Sequence, residues 1–453
     1  MSRTVSASAA NSGGGAPAGG GYGLPTLVAL VVTGMIGSGV FTTSGFALES
    51  LGSPAAVLAA WLVGGLVACC GAVAYAALAF RLPQSGGEYL YLSRSLHPFA
   101  GFLAGVVSLT AGFSGAIAFA ALTCQAYAGP LLSLPGWLPP QAPATAVVLA
   151  CGLLHLEAGR LAARLNTGLV ALKMLAIGGL IIWGYTAVLG DQHAAGEVPV
   201  ASAVLSIGSF ATTVMWIMFS YTGFNEAVYI ASEARSPRRT VPRAVLLGTL
   251  LVTAIYWLLN DVFLRSTAAA DLAGQAEVAA VAAAALGGPR FEWWMRLAIV
   301  LSTFSAAAGM TMAGSRVAVA MADDQILPRW LAGPAGRSRA VLVQAALAMG
   351  LVQLATIRSL LGYLGVTLSL CSALTVTTLL LPGARQGNDG RAPVAVLAAA
   401  GIYVAVTLAF AVLMCLHDPW QLAGTVTIVV VSGLGFGLFR ARGNQGQIDQ
   451  DTQ

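Results

Sequence analysis

Lys173, the single lysine of the chain, is the residue whose type and setting most directly suggest chemistry. It lies inside NTGLVALKMLAIGGLIIWGYTAV, an apolar run long enough to cross a bilayer. An amine at membrane depth is costly, so such a group usually faces a polar interior and marks an ion or substrate path. Lysine can also lose its proton when it is desolvated, which arginine does not do. The sequence therefore predicts a functional amine, and an amine bonded to carbonyls for packing alone is the competing interpretation.

Two apolar runs are interrupted by small and polar residues. The run LPTLVALVVTGMIGSGVFTTSGFAL places Gly34, Gly37 and Gly39 around Ser38, and SYTG at 220–223 interrupts a later run. A single Gly-x-Gly in a membrane helix is more often a packing feature. Two breaks at matching positions of two five-helix halves instead indicate a binding site between inverted repeats. Freed amides at such a break hold a carboxylate and freed carbonyls hold an ammonium, so a zwitterionic amino acid fits both.

The composition is that of an integral membrane protein. Apolar residues make up 57% of the chain, charged residues only 9%, and the mean hydropathy is +0.81. Runs of about 20 residues predict helical spans, because the strands of a membrane barrel are about 10 residues long. The sequence predicts twelve spans, at 24–48, 54–80, 99–127, 142–158, 162–188, 203–232, 242–264, 292–321, 339–357, 359–382, 392–415 and 419–439.

Basic residues set the predicted orientation. With both termini inside, only Arg265, Arg290, Arg296 and Arg358 of the 22 basic residues fall in outer segments, and all the others except Lys173 are cytoplasmic. This split predicts a multi-pass protein of the plasma (inner) membrane with both termini cytoplasmic. Residues 1–23 are rich in Gly, Ala and Ser and are predicted to be a disordered cytoplasmic tail rather than a signal peptide.

Several function classes are excluded by what the sequence lacks. The six cysteines fall within or at the ends of apolar spans, without metal-ligand spacing. There is no phosphate-binding loop and no nucleophile–base cluster, so we expect no enzyme activity, no cofactor, no metal site and no ATP-driven transport. The net charge of +5 is spread over cytoplasmic loops and indicates no nucleic-acid partner.

Four motifs, in order, resemble those of the amino acid–polyamine–organocation transporters. They are GMIGSGVF, PQSGGEYLYLSR, FSYTGFNEAVYIASEARSPRRTVPRA and SRVAVAMADDQILPRWL. The resemblance runs from about Gly23 to the last helices, and FSYTGFNE is similar to the L-type amino acid transporters and their bacterial relatives. It implies an all-α, LeuT-like membrane fold of twelve helices, with a 5+5 inverted repeat, broken helices 1 and 6 and two trailing helices. The implied domain boundaries are 24–439 for one transporter domain (24–188 first repeat, 203–382 second repeat, 392–439 helices 11 and 12) and 440–453 for a cytoplasmic tail.

The resemblance also implies a substrate site. Gly37, Ser38 and Gly39 match the motif whose amides and hydroxyl take the substrate carboxylate. Positions whose carbonyls take the α-amino group are matched by Ile36, Phe219, Ser220 and Thr222. Phe219 also matches an aromatic residue that closes over the substrate, and Asn225 matches a polar residue just after the sixth-helix break.

Coupling residues are implied in the same way. Lys173 matches a fifth-helix lysine that takes the place of a sodium ion, and Ser302 matches an eighth-helix hydroxyl close by. Protonation of Lys173 would then couple proton movement to the cycle, or a permanently charged Lys173 would brace an exchanger. Glu226 departs from the L-type pattern. If it faces the cavity it favours a cationic substrate or proton coupling, and if it faces neighbouring helices it accepts bonds from hydroxyls.

The predicted function is secondary transport of amino acids, with neutral L-amino acids favoured, by alternating access. A carrier of cationic amino acids or polyamines is the main alternative, and a non-transporting amino acid sensor ranks below it. The expected partners are the amino acid substrate, the lipid bilayer and, in the coupled mechanism, protons. The loop GPLLSLPGWLPPQAPAT contains no cysteine, so no disulfide-linked accessory subunit is expected.

Overall fold

The described part of the chain is built from α-helices. The computed structural model describes residues 21–451 apart from 85, 133–134, 158, 190–205, 334 and 382–391, so most of the predicted tail 1–23 lies outside the described residues. The helices are α1 (Leu24–Met35), α2 (Thr43–Leu51), α3 (Pro54–Arg81), α4 (Glu88–Ser95), α5 (Pro98–Val107), α6 (Ala116–Ala128), α7 (Ala142–Glu157), α8 (Gly159–Leu189), α9 (Ile207–Tyr221), α10 (Glu226–Tyr229), α11 (Pro237–Ser266), α12 (Ala269–Leu272), α13 (Val278–Asp323), α14 (Gly336–Leu354), α15 (Ile357–Thr377), α16 (Val394–His417) and α17 (Ala423–Asp451). A single isolated bridge joins Tyr22 to Ala234.

Many of these helices are long and apolar enough to cross a membrane. Among the described residues, seven segments meet that requirement: Pro54–Arg81, Pro98–Leu131, Pro237–Ser266, Val278–Asp323, Ile357–Thr377, Val394–His417 and Pro419–Gly437. Shorter apolar helices cover Leu24–Met35, Ala142–Leu156, Ala171–Ala187 and Ile207–Tyr221. The all-helical membrane class is therefore confirmed, whereas the number of twelve spans stays a prediction.

Local sequence signals explain where several helices begin. α3 begins with Pro54, since proline is well tolerated in the first turn of a helix. The hydroxyl of Ser53, the residue before it, caps the helix by accepting a hydrogen bond from the Ala56 amide. α9 begins with a reciprocal capping box between Ser206 and Ser209. The predicted sixth span began at 203, a position outside the described residues.

The helix pairs α1–α2 and α9–α10 are surrounded by longer helices. α1 packs against α11, and α2 packs against α9. α9 in turn contacts α3, α15 and α16, while α8 contacts α13. This arrangement places α1, α2, α9 and α10 inside the helical bundle, where their side chains meet other protein groups.

Two elements differ in shape from plain spans. α13 is kinked at Gly288, whose φ of 72° is not helical and which precedes Pro289. Before that kink, the Gly274 amide donates to the Gly45 carbonyl (2.9 Å), so the segment after α12 is fastened to α2. α17 continues as a helix to Asp451, into the segment 440–453 that the sequence predicts as a tail.

Candidate functional site

Two helices are interrupted in the interior of the bundle. Residues 36–42 separate α1 from α2 and contain a 3₁₀ turn at Gly39–Phe41. Residues 222–225 separate α9 from α10, and Gly223 there has a φ of 94°. That conformation is easily reached only by glycine, which explains why the helix stops in the SYTG run. Interruptions of this kind expose backbone groups that a helix would otherwise pair.

Each interruption touches the last turn of the helix that precedes the other interruption. A Cβ atom added to Gly223 would lie 2.8 Å from the carbonyl carbon of Gly34, and one added to Gly39 would lie 2.4 Å from the Ser220 hydroxyl oxygen. The Ser220 hydroxyl is also 3.4 Å from the Thr43 hydroxyl, at the start of α2. The glycines therefore permit a backbone approach that a larger side chain would prevent.

Tyr256 of α11 joins the two interruptions from the side. Its hydroxyl lies 2.6 Å from the Met35 carbonyl and 3.0 Å from the Ser220 carbonyl, and it can donate to one of them at a time. The ring is fully buried and packs edge-on against Trp61, with centroids 5.3 Å apart. The sequence does not predict this role, because nothing near Tyr256 distinguishes it from a tyrosine that only packs in the seventh span.

Lys173 lies beside the first interruption. The side chain is only 6% exposed, and its ammonium donates a hydrogen bond to the Ile36 carbonyl. Ser302 of α13 lines the same small cavity as Lys173, together with Phe41 and Ile299. Lys173 is thus bonded to the Ile36 carbonyl and lines one cavity with Ser302, and the role of the Ser302 hydroxyl stays a prediction.

Glu226 of α10 packs against Gly34 of α1. A Cβ atom on Gly34 would lie 2.6 Å from the Glu226 carboxyl carbon, so this carboxylate occupies space that only glycine leaves open. Glu226 and Lys173 interact electrostatically. An acid and an amine therefore both lie near the end of α1, and the charge of each influences the other.

The predicted acceptors of a substrate ammonium are partly engaged within the protein. The Phe219 carbonyl accepts from both the amide (3.1 Å) and the hydroxyl (2.6 Å) of Thr222. The Ile36 carbonyl accepts from Lys173, as described above, and the Ser220 carbonyl lies within reach of Tyr256. A substrate ammonium would share these oxygens or replace one of their present donors.

The predicted carboxylate position lies on the irregular backbone of the first interruption. Ser38 is 6% exposed, with φ −75° and ψ −20°, and is followed by the 3₁₀ turn that begins at Gly39. Before it, the Gly37 amide donates to the Met35 carbonyl (2.8 Å) in a tight turn. These residues precede the nine-residue helix α2, whose N-terminus presents backbone amides.

Phe219 packs against an aromatic residue of another helix. Its ring lies 4.9 Å from the ring of Phe119 in α6, at 73°, an edge-to-face arrangement. Phe119 comes shortly after the irregular stretch Ser108–Gly115 of the third span, which has π-helical hydrogen bonds. The ring predicted to close over the substrate is therefore held against a second helix.

Asn225 makes a contact that the sequence did not predict. Its side-chain amide donates to the carboxylate of Glu88 in α4 rather than lying unpaired. Glu88 lies in the motif PQSGGEYLYLSR, but the sequence predicts no function for this residue. Asn225 as a substrate-binding residue stays a prediction.

Comparison with known proteins gives the family. The family model described as amino acid permease matches residues 22–434, which is nearly the whole described chain. The chain belongs to the amino acid permease family. This confirms the resemblance that the four motifs indicated.

Curated relatives carry the names of amino acid transporters rather than of enzymes. The chain is 28% identical to the Asc-type amino acid transporter 1 of Mus musculus over 68% of the chain and 59% of that protein. It is 30% identical to the large neutral amino acids transporter small subunit 2 of Homo sapiens, over 72% of the chain and 62% of that protein. The serine/threonine exchanger SteT of Bacillus subtilis (strain 168) is 30% identical over 68% of the chain and 69% of its own length. The chain thus aligns with about three fifths of the length of these two mammalian relatives.

Proposed function

We propose that this protein is a secondary transporter that moves amino acids, with neutral L-amino acids preferred, across a membrane by alternating access. The observation that carries the proposal is that each interruption contacts the last turn of the other broken helix, at Gly223–Gly34 and at Gly39–Ser220. Interrupted helices that meet at the middle of a bundle are the usual binding site of transporters with repeated halves. The names of the relatives, which include a neutral amino acid transporter and a serine/threonine exchanger, support the same substrate class.

The substrate is proposed to lie between the two interruptions. Its carboxylate would bind the amides of Gly37, Ser38 and Gly39 before α2, where the helix dipole favours negative charge. The α-ammonium would bind carbonyls of the facing segments, with Phe219 closing over it. Because these contacts use only groups that every α-amino acid shares, the side-chain preference depends on other residues of the pocket.

The proposed fold is the LeuT-like one, with twelve spans and a 5+5 inverted repeat over 24–188 and 203–382. Support comes from the two interruptions and from α14 (Gly336–Leu354), a 19-residue helix at the place of the predicted ninth span. The uneven distribution of arginine supports a plasma (inner) membrane location with cytoplasmic termini. The absence of cysteine from the loop after the third span supports a carrier without a disulfide-linked subunit.

Lys173 is proposed to make the conformation of α1 depend on the charge of its own amine. In one mechanism its proton is lost and regained during the cycle, which weakens and restores the bond to Ile36 and drives proton symport. In the other, Lys173 stays charged and braces α1 in an exchanger. Ser302 and Glu226 are the neighbours that tune the amine in either mechanism, since one lines its cavity and the other interacts with its charge.

A carrier of cationic amino acids or polyamines is the second candidate. It is favoured by the position of Glu226 next to the second interruption, where a carboxylate could meet a cationic side chain. Against it stands the electrostatic interaction between Glu226 and Lys173, which already gives the carboxylate a cationic neighbour. We therefore place Glu226 in coupling rather than in substrate selection.

Uptake into proteoliposomes tests the proposal. Purified protein is reconstituted and offered a panel of radiolabelled neutral, cationic and acidic amino acids, with and without an inward proton gradient and with and without internal amino acid. Neutral amino acid uptake stimulated by the gradient supports symport, and uptake that needs internal amino acid supports exchange. Uptake restricted to cationic amino acids or polyamines would replace the preferred substrate class by the second candidate.

A further inference from the structure

Glu88, at the start of α4, is a buried carboxylate that the transport mechanism above does not use. It is 6% exposed and accepts hydrogen bonds from Tyr75 (2.9 Å), Asn225 and Tyr229. An ionised carboxylate is an acceptor only, with room for about four donors, so these three neutral groups satisfy most of its capacity. Bonds from neutral donors to a charged acceptor are stronger than bonds between neutral groups.

The donors come from two other elements. Tyr75 belongs to α3, whereas Asn225 immediately precedes the short helix α10 and Tyr229 is its last residue. One carboxylate therefore holds both ends of the half-helix that follows the second interruption. Because Asn225 immediately precedes Glu226, this contact also lies one residue from the acid that interacts with Lys173.

Close packing supports the same contact. Gly87 precedes Glu88 with a φ of 68°, and a Cβ atom there would lie 2.3 Å from a ring carbon of Tyr229. Only glycine allows both that backbone conformation and that approach. The start of α4 thus contacts Tyr229 through the Gly87 backbone as well as through the Glu88 carboxylate.

The neighbouring residue attaches α4 to a different part of the protein. The Tyr89 hydroxyl donates to the Asp324 carboxylate (3.0 Å), just after the end of α13. Burial, reinforced by the Asp324 charge, raises the pKa of Tyr89, so the hydroxyl keeps the proton that it donates. α4 therefore connects α10, through Glu88, to the end of α13, through Tyr89.

We propose that Glu88 is a positioning residue that holds Asn225 and α10 against α3 and α4, and that its hydrogen bonds must break before the site opens to the side of the membrane on which α4 lies. The inference rests on the proposed transport function, in which that side is the cytoplasm. The carboxylate keeps this side closed while the substrate site faces away from it. It acts on the substrate only through Asn225 and α10.

An exchange of donor and acceptor tests the contact. Glu88→Gln removes the charge and turns one acceptor into a donor that faces the Asn225 amide. Asn225→Asp places two carboxylates together. In the double variant, the amide introduced at position 88 can donate to the carboxylate introduced at position 225, and the remaining amide oxygen can accept from Tyr229, so one strong bond is restored. Tyr89→Phe is the matched control, because it loosens α4 from Asp324 without touching α10.

Hydrogen–deuterium exchange of the peptide covering 222–234 measures how often α10 opens, in the full-length protein without substrate. We expect each single variant to exchange roughly tenfold faster, a change of about 1.4 kcal/mol, since each removes a hydrogen bond to a charged group. The double variant should return most of the way towards wild type, and Tyr89→Phe should leave this peptide unchanged. Tyr229→Phe, which removes one donor and no charge, gives the same test if Glu88→Gln does not fold.

The proposal would be overturned if the single variants exchanged at the wild-type rate, or if the double variant exchanged faster than either single variant. The measurement needs no transport, so its failure is separate from failure of the transport function. In active proteoliposomes, Glu88→Gln should also alter the apparent KM for substrate offered from the α4 side more than from the other side. Equal effects on the two sides would assign Glu88 a merely structural role.

Discussion

Lys173 donates a hydrogen bond to the carbonyl of Ile36, the residue at which α1 ceases to be helical. The amine comes from α8 and the carbonyl from the irregular segment 36–42, which lies against Ser220. One charged group is thus bonded to the backbone that the proposed mechanism requires to move. A change in that charge changes the stability of this one conformation of α1 relative to others.

Replacing Lys173 by Ala should abolish gradient-stimulated uptake if the amine is the coupling group. The variant loses the donor to Ile36 and the charge opposite Glu226, so α1 is no longer held in a proton-dependent way. Lys173→Arg keeps the charge but cannot release the proton, and it should fail in the same way. Uptake with and without an inward proton gradient is the measurement. Full gradient stimulation in Lys173→Ala would show that coupling resides elsewhere.

Ser38→Pro should remove substrate binding while the protein stays folded. The φ of Ser38, −75°, lies within the range that proline adopts, so the change deletes an amide without forcing the backbone angle. Ser38→Ala, which deletes only the hydroxyl, is the control and should lose less affinity. Equilibrium binding of a neutral amino acid, with size-exclusion chromatography to check folding, measures both. Wild-type affinity in Ser38→Pro would mean that this amide does not hold the carboxylate.

Glu226→Gln separates the two roles weighed for this acid. If Glu226 tunes Lys173, uptake of neutral amino acids should lose its dependence on the proton gradient, and competition by cationic amino acids should not change. Glu233→Gln, at an exposed position just beyond α10, is the charge-matched control. A selective loss of cationic substrate would instead assign Glu226 to the substrate pocket.

Phe219→Ala should reduce uptake strongly and leave folding intact. The ring is 8% exposed and packs edge-to-face with Phe119, a contact worth about 0.5–1.5 kcal/mol beyond area burial, so its removal opens the proposed cover over the site. Phe219→Leu keeps apolar bulk and should retain more uptake. The initial uptake rates of the two variants are compared with the wild-type rate. Equal activity of all three proteins would show that the ring does not close the site.

The sequence predicts the broken helices and Lys173 because their signals are local. Glycine and serine interrupt an apolar run that would otherwise continue as a helix, and a lone amine in such a run stands out against its neighbours. These features also place Ser38 and Ser220 in segments that do touch in the structure.

Tyr256 and Glu88 could not be predicted in the same way, because their roles depend on partners far along the chain. The Tyr256 hydroxyl reaches a carbonyl 221 positions away, and Glu88 reaches Asn225 across 137 positions. A tyrosine in an apolar helix and an acid at the start of a short helix are both common, so neither carries a local mark. The direction of the Asn225 side chain, towards Glu88, likewise depends on the packing of distant segments, which a single sequence does not reveal.

The most direct test of the central claim is the binding of a neutral amino acid to the wild type, Gly39→Ala and Gly178→Ala. A methyl group at Gly39 would lie 2.4 Å from the Ser220 hydroxyl, whereas nothing lies within 4 Å of one at Gly178. If the substrate binds where the two interruptions meet, Gly39→Ala should lose at least about tenfold in affinity, or about 1.4 kcal/mol, and Gly178→Ala should bind like the wild type. Equal affinity in all three folded proteins would contradict a substrate site at the junction of the broken helices.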